Sequence, residues 1–146
     1  MLKALITGAS RGIGRAAARR LAVNGFSVVI NYLHSEEGAL SLARELNANG
    51  ADAEAFRADV SDRAQVEKMF QKAGNIDVLV NNAGIAQQKL FSDITETDWD
   101  RMFAVDVKGV FNCCQCALPH MVHMKKGKII NISSMWGQAG ASCEVH

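Results

Sequence analysis

The chain has 146 residues, 49% of them apolar and 21% charged, with a net charge of +1. That balance belongs to one globular domain with a buried core, not to a disordered segment. So small a charge gives no electrostatic ground for a nucleic-acid or membrane-surface partner, and no apolar run nears the roughly 20 residues of a membrane span.

Strand-like residues begin directly after Met1, so no leader peptide is read and the expected location is the cytoplasm. Leu2–Thr7 is a continuous apolar run of the kind buried on both faces of a parallel sheet. It feeds Gly8-Ala9-Ser10-Arg11-Gly12-Ile13-Gly14, which opens a helix expected to end near Asn24-Gly25. A glycine-rich turn placed after a strand and before a helix reads as a dinucleotide site. Gly8 permits the sharp turn, Gly12 clears the approach of a diphosphate, and Gly14 lets helix and strand pack closely. The free N–H groups and positive end of the helix then face the phosphates.

A second strand, Ser27–Tyr32, precedes a helix over about 36–49 with Ser35 as its cap. A third strand near Ala53–Ala58 leads to Asp59-Val60, and Ser61 or Asp62 caps a helix presenting Val66, Met69 and Phe70 on one face. Ile76–Val80 is the fourth strand, closed by Asn81-Asn82-Ala83-Gly84. A polar loop runs to Thr97-Asp98, where a long helix begins and continues to about Leu118, with Pro119 as a kink or boundary. Lys128–Ile132 is the fifth strand, and the residues after Ser133-Ser134 read as loop.

This alternation predicts a doubly wound, right-handed α/β sheet of the Rossmann type. The second half of such a sheet is missing, so the fifth strand is expected to leave an apolar edge open and the domain to be incomplete. Cys113, Cys114 and Cys116 fall in one helix, where disulfide geometry is poor, and are read with Cys143 as reduced. Cys116, His120 and His123 lack a convincing metal-ligand pattern, so no metal is expected.

Four motifs stand in one order: Thr7–Gly14, Asp59-Val60, Asn81–Gly84 and Ile130-Asn131-Ile132-Ser133-Ser134. Together they resemble the short-chain dehydrogenases/reductases over essentially the whole chain. More narrowly the chain is similar to bacterial 3-oxoacyl-(acyl-carrier-protein) reductases. Its tail, Met135–Val145, also resembles the reductases that act on 5-aminopentanone-modified elongation factor P.

The resemblance implies a nicotinamide cofactor whose diphosphate lies on the glycine turn, with the Ile13 N–H among its donors. Asp59 would take the adenine amino group, Val60 would pack beside the ring, and Asn82, Ala83 and Gly84 would line the path of the adenosine. Ser134 would polarise the carbonyl of a ketone carried by a small molecule or a carrier. A carboxylate that reads a free ribose 2′-hydroxyl is absent from Asn31-Tyr32-Leu33-His34-Ser35, while Arg11, Ser10 and Asn31 suit a 2′-phosphate, so NADP(H) is expected.

Two departures stand out. Asp106 occupies the position of the family's water-holding asparagine on the long helix, losing the amide donors and adding a charge. The family's tyrosine proton donor, about thirteen residues past the serine, and the lysine four residues later would fall beyond His146. The expectation is an inactive N-terminal part of a reductase that forms dimers or tetramers when complete. Two other classes stay open: a non-catalytic NADP-binding module, and a structural subunit pairing through Met102, Phe103, Val107, Val110 and Phe111. Glu144 reads either as a solvated loop carboxylate or as a partner for a cationic substrate.

Overall fold

A computed structural model describes all 146 residues. In chain order the elements are β1 (Lys3–Ile6), α1 (Gly12–Val23), β2 (Ser27–Tyr32), α2 (Glu36–Ala48), β3 (Ala53–Arg57), α3 (Arg63–Ala73), β4 (Val78–Asn81), α4 (Glu96–Phe103), α5 (Gly109–Met124) and β5 (Lys128–Asn131). The strands form one parallel sheet in the order β3-β2-β1-β4-β5. It is the Rossmann-like architecture expected, as far as a fifth strand.

Strand alternation divides the core. Ala4 and Ile6 of β1, with Val28, Ile30 and Tyr32 of β2, pack under Ala18 and Ala22 of α1 and Leu42 and Leu46 of α2. Leu5, Val29 and Leu79 point the opposite way, against Val66, Met69 and Phe70 of α3 and Cys113, Ala117 and Met121 of α5. Each face of the sheet thus has its own helix layer, which is why these strands read as unbroken apolar runs.

Several boundaries differ from the sequence reading. Thr95, not Thr97, caps α4: its hydroxyl accepts the Asp98 N–H at 3.1 Å, and the Asp98 carboxylate accepts the Thr95 N–H at 3.0 Å. That reciprocal pair satisfies two donors at once, which Thr97 could not do one residue from Asp98. Lys89 Nζ at 2.6 Å and the Thr95 hydroxyl then hold the Asp98 carboxyl far below the usual range. Of the two caps expected for α3, Asp62 is the one used, through the N–H groups of Ala64 and Gln65, whereas the expected cap Ser35 makes no side-chain bond to α2.

The long helix is also divided. A π-helical turn, Ala104–Lys108, joins α4 to α5, and α5 runs through Pro119 to Met124 before Lys125 turns left-handed at φ 50°. Pro119 removes the donor for Gln115, but both residues are exposed and water can serve the freed carbonyl. Of the apolar set on this helix, Met102 is buried, Val110 is half-buried, and Phe103, Val107 and Phe111 face outward. Trp99 stacks on Phe103 with ring centroids 4.7 Å apart. No helix is long and apolar enough to cross a membrane.

Candidate functional site: a crevice between the ends of β1 and β4

The chain proceeds outward from β1 to β2 and β3, then returns to place β4 on the other side of β1. Ligands of open α/β sheets bind at such a reversal, past the carboxyl ends of the strands. Here the crevice is a cavity of about 350 Å³. Among the residues singled out from the sequence, Gly8, Ser10, Arg11, Gly12, Ile13, Asn31, Asp59, Val60, Asn82, Ala83 and Gly84 all line it.

The walls are held by a short list of bonds. The buried Thr7 hydroxyl accepts the N–H groups of Asn82 and Ala83, each at 2.9 Å. In return the Asn82 amide donates to the carbonyls of Thr7 and Gly8 at 2.9 and 3.2 Å. Gly8 and Gly12 adopt φ of +61° and +57°, a region in which a side chain is strained. A Cβ on Gly14 would stand 2.5 Å from Asn82 Nδ2, so that glycine lies beneath the loop rather than on the cavity wall.

The start of α1 is bare. Arg11 provides no side-chain cap, the first turn holds no acidic residue, and the N–H groups of Gly12, Ile13 and Gly14 find no acceptor in the chain. A Cβ built on Gly12 meets nothing within 4 Å. Open space in front of unpaired donors at a helix N-terminus fits a phosphate group.

At the opposite end, Asp59 Oδ1 accepts from the Ser61 hydroxyl at 2.6 Å and from its N–H at 2.9 Å. Burial alone would push this carboxyl up, but those two bonds and the Arg101 guanidinium outweigh it and hold it below its ordinary value. Asp59 is the only carboxylate on the cavity wall.

Asn31 sits differently from its expected role. Its Oδ1 accepts the Gly8 N–H at 3.2 Å, and its NH₂ donates to the carbonyls of Phe56 and Ala58 at 3.4 and 3.0 Å. Both amide hydrogens are committed, so Asn31 braces the glycine turn and has no donor left for a phosphate. The Ser10 hydroxyl makes no bond within the chain, and the exposed Arg11 forms no ion pair there.

Ser134 and Asp106 do not line this cavity. Ser134 lies three residues past β5 and is exposed, its Oγ accepting the Trp136 N–H at 3.2 Å. Asp106 is half-buried in the π-helical turn and accepts the Ile85 N–H at 2.9 Å. Burial pushes its carboxyl up, and the Ile85 bond offsets part of that rise. Glu144 Oε1 accepts from Gln88 Nε2 at 3.1 Å, so it is partnered rather than freely solvated. No group of three His, Cys, Asp or Glu side chains has metal-binding geometry, and His120 instead faces Asp77 at 3.6 Å.

Leu33, His34, Ser35, Ile85, Arg101 and Val105 also line the cavity and were not singled out as binding residues from the sequence. The first three follow β2 directly and were within reach of a motif argument. Arg101 and Val105 come from α4 and the π-helical turn, and no local signal ties them to the glycine loop.

A family model described as short chain dehydrogenase matches residues 2–145. The 3-oxoacyl-[acyl-carrier-protein] reductase of Staphylococcus aureus is 45% identical over 141 residues, which cover 94% of this chain and 57% of the relative. The enzyme of that name from Synechocystis is 41% identical, covering 94% and 57%. A crystal structure of a gluconate 5-dehydrogenase from Burkholderia cenocepacia, in complex with NADP and tartrate, matches with TM-score 0.88 at 38% identity. It covers 99% of this chain and 58% of that one. The chain thus spans less than two thirds of the length of the relatives it matches.

Proposed function

The chain belongs to the short-chain dehydrogenase family, and we propose that it forms the cofactor-binding part of an NADPH-dependent reductase converting a ketone to a secondary alcohol. The ketone is of the 3-oxoacyl-(acyl-carrier-protein) kind, the substrate class in the names of its relatives. One observation carries the reading: a bare helix N-terminus, an ionised carboxylate and the loop after β4 all open onto a single cavity.

In this reading the N–H groups of Gly12 and Ile13 hold the diphosphate, and the ring packs beside Val60 with its amine on Asp59. Asn82, Ala83 and Gly84 line the ribose path. Arg11, with the free Ser10 hydroxyl and the neighbouring His34 and Ser35, receives the 2′-phosphate; no carboxylate at that end repels it. When bound, the nicotinamide supplies the hydride. Ser134 uses its hydroxyl only as an acceptor within the chain, which leaves its own O–H to donate to the substrate carbonyl. Asp106 braces the Gly84–Ile85 segment and offers a carboxyl oxygen to a water of the proton relay. The tyrosine and lysine that the family resemblance requires are placed beyond His146, and a second copy is placed on the exposed face of Phe103, Val107 and Phe111.

The intact mass in native cells and a cofactor titration of that full-length protein test the reading. The expected results are a species longer than 146 residues that binds NADPH at least about tenfold more tightly than NADH, with the preference lost in Arg11→Ala. Equal binding of the two cofactors overturns the NADPH assignment. Tight NADPH binding by a protein that natively ends here, without reduction of any ketone, makes it a binding module instead. The partnered Glu144 favours one further comparison: if Glu144→Gln loses turnover only of amine-bearing ketones, the substrate is the aminopentanone group of modified elongation factor P.

A further inference from the structure

Two arginines reach the cavity, and they stand at different places in the chain's architecture. Arg11 belongs to the glycine turn; Arg101 comes from α4, an element outside every motif named above. The Arg101 guanidinium lies 3.6 Å from Asp59 Oδ2, joining α4 to the turn after β3. This is the one ion pair between two residues of the cavity wall.

The surroundings hold Asp59 in place. Asp59 Oδ1 is taken up by the Ser61 hydroxyl and N–H, and the Asp59 N–H donates to Gln65 Oε1 at 3.0 Å. That leaves Oδ2 as the carboxylate's available atom, with Arg101 at its side and capacity for another donor. The helical side is anchored as well. Asn112 Nδ2 donates to the Val60 carbonyl at 2.9 Å, and a Cβ on Gly109 would stand 2.7 Å from Val60 Cγ2, so α5 is pressed against the Asp59-Val60 turn. Arg101 stands on α4, which the π-helical turn joins to α5, so it reaches Asp59 from a helical segment continuous with the one packed on that turn.

We propose that Arg101 is a positioning residue for base recognition: it fixes the Asp59 carboxylate so that Oδ2 accepts from the exocyclic amine of adenine and turns away a 6-oxo purine. A carboxylate only accepts, and adenine presents a donor at that position. Hypoxanthine presents a carbonyl oxygen there, which meets the carboxylate with two acceptors and no hydrogen. Together with the Ser61 bonds, the guanidinium beside Oδ2 holds the carboxylate in one orientation, the condition this discrimination needs. The inference rests on the cofactor reading above.

The test compares NADPH with its deaminated analogue, reduced nicotinamide hypoxanthine dinucleotide phosphate, by fluorescence titration of the full-length protein. Wild type is expected to bind NADPH about tenfold more tightly than the analogue, the effect of one hydrogen bond to a charged acceptor. Arg101→Ala should reduce that ratio to about twofold by weakening NADPH alone, and Arg101→Lys should restore most of it. Thermal melts show whether each variant is folded, and the ratio is read on folded protein. A merely structural arginine would weaken both cofactors together and leave the ratio unchanged, which overturns the proposal. Tighter NADPH binding in Arg101→Ala also overturns it, by showing that the arginine competes for Asp59. Failure of wild type to bind NADPH at all sinks the cofactor reading instead, a different result from an unchanged ratio.

Discussion

β2 and β5 are built from similar apolar residues and meet opposite fates. Every residue of β2, Ser27–Tyr32, is buried, whereas in β5, Lys128–Asn131, only Ile129 is partly covered. The difference lies in their neighbours. β2 has a strand on each side and packs against α1 and α2. β5 pairs with β4 alone, and only Ile129 joins the core shared with α5, while Ile130 faces outward at 45% exposure. The candidate site divides along the same line. The cavity stands on the ends of β1 to β4, and Ser134, borne by the segment after β5, lies exposed and outside it. Burial here is supplied by the second layer, not by the strand's own sequence.

The largest effect is expected from the buried half. Leu5→Ala empties a fully enclosed position and should cost about 3 kcal/mol, lowering Tm by about 10 °C in a thermal melt. Thr7→Val removes the oxygen that two backbone N–H groups share, and about 2 kcal/mol should be lost by denaturant titration, with weaker NADPH binding as the loop after β4 loosens. Gly12→Ala separates binding from stability. Its positive φ makes the methyl cost about 1 kcal/mol, but the methyl occupies the space before the bare helix end, so NADPH affinity should fall at least about tenfold.

A smaller effect is expected at the junction of the two regions. Burial raises the folded-state Asp106 carboxyl above its unfolded value. Wild type therefore loses stability as pH rises from the unfolded carboxylate range through the raised folded value. Asp106→Asn keeps an oxygen for the Ile85 N–H and escapes that loss. Its Tm should exceed wild type by about 2 °C at pH 7 and match it near pH 3. The smallest effect belongs to the open edge: Ile130→Ala should change stability by no more than about 0.5 kcal/mol in this chain. A loss matching that of Leu5→Ala would show β5 covered and remove the contrast.

Much of this was legible in the residues. The apolar runs of β1 and β2, the glycine turn and Asn81-Asn82-Ala83-Gly84 located the strand ends that make the crevice, because each obeys a local rule of turn or strand chemistry. The α4 cap was misplaced by two residues because Thr95 and Thr97 are equal candidates until the Asp98 side chain is seen to turn back. Asn31 looked free to bind a ligand because nothing local shows that Gly8, Phe56 and Ala58 already occupy its amide.

By itself the sequence determined the order of elements, the apolar runs of β1 and β2 and the glycines that leave a helix end bare, since these depend on backbone sterics and period over a few residues. Only the tertiary structure decided that Thr7 holds the loop after β4, that Asn31 is spent as a brace and that Arg101 meets Asp59. Those pairings span 42 to 76 residues for Arg101, Thr7 and their partners and 23 to 27 for two of Asn31's contacts. They form only when the sheet brings remote turns to one edge, where unpaired polar groups find partners that no local pattern specifies.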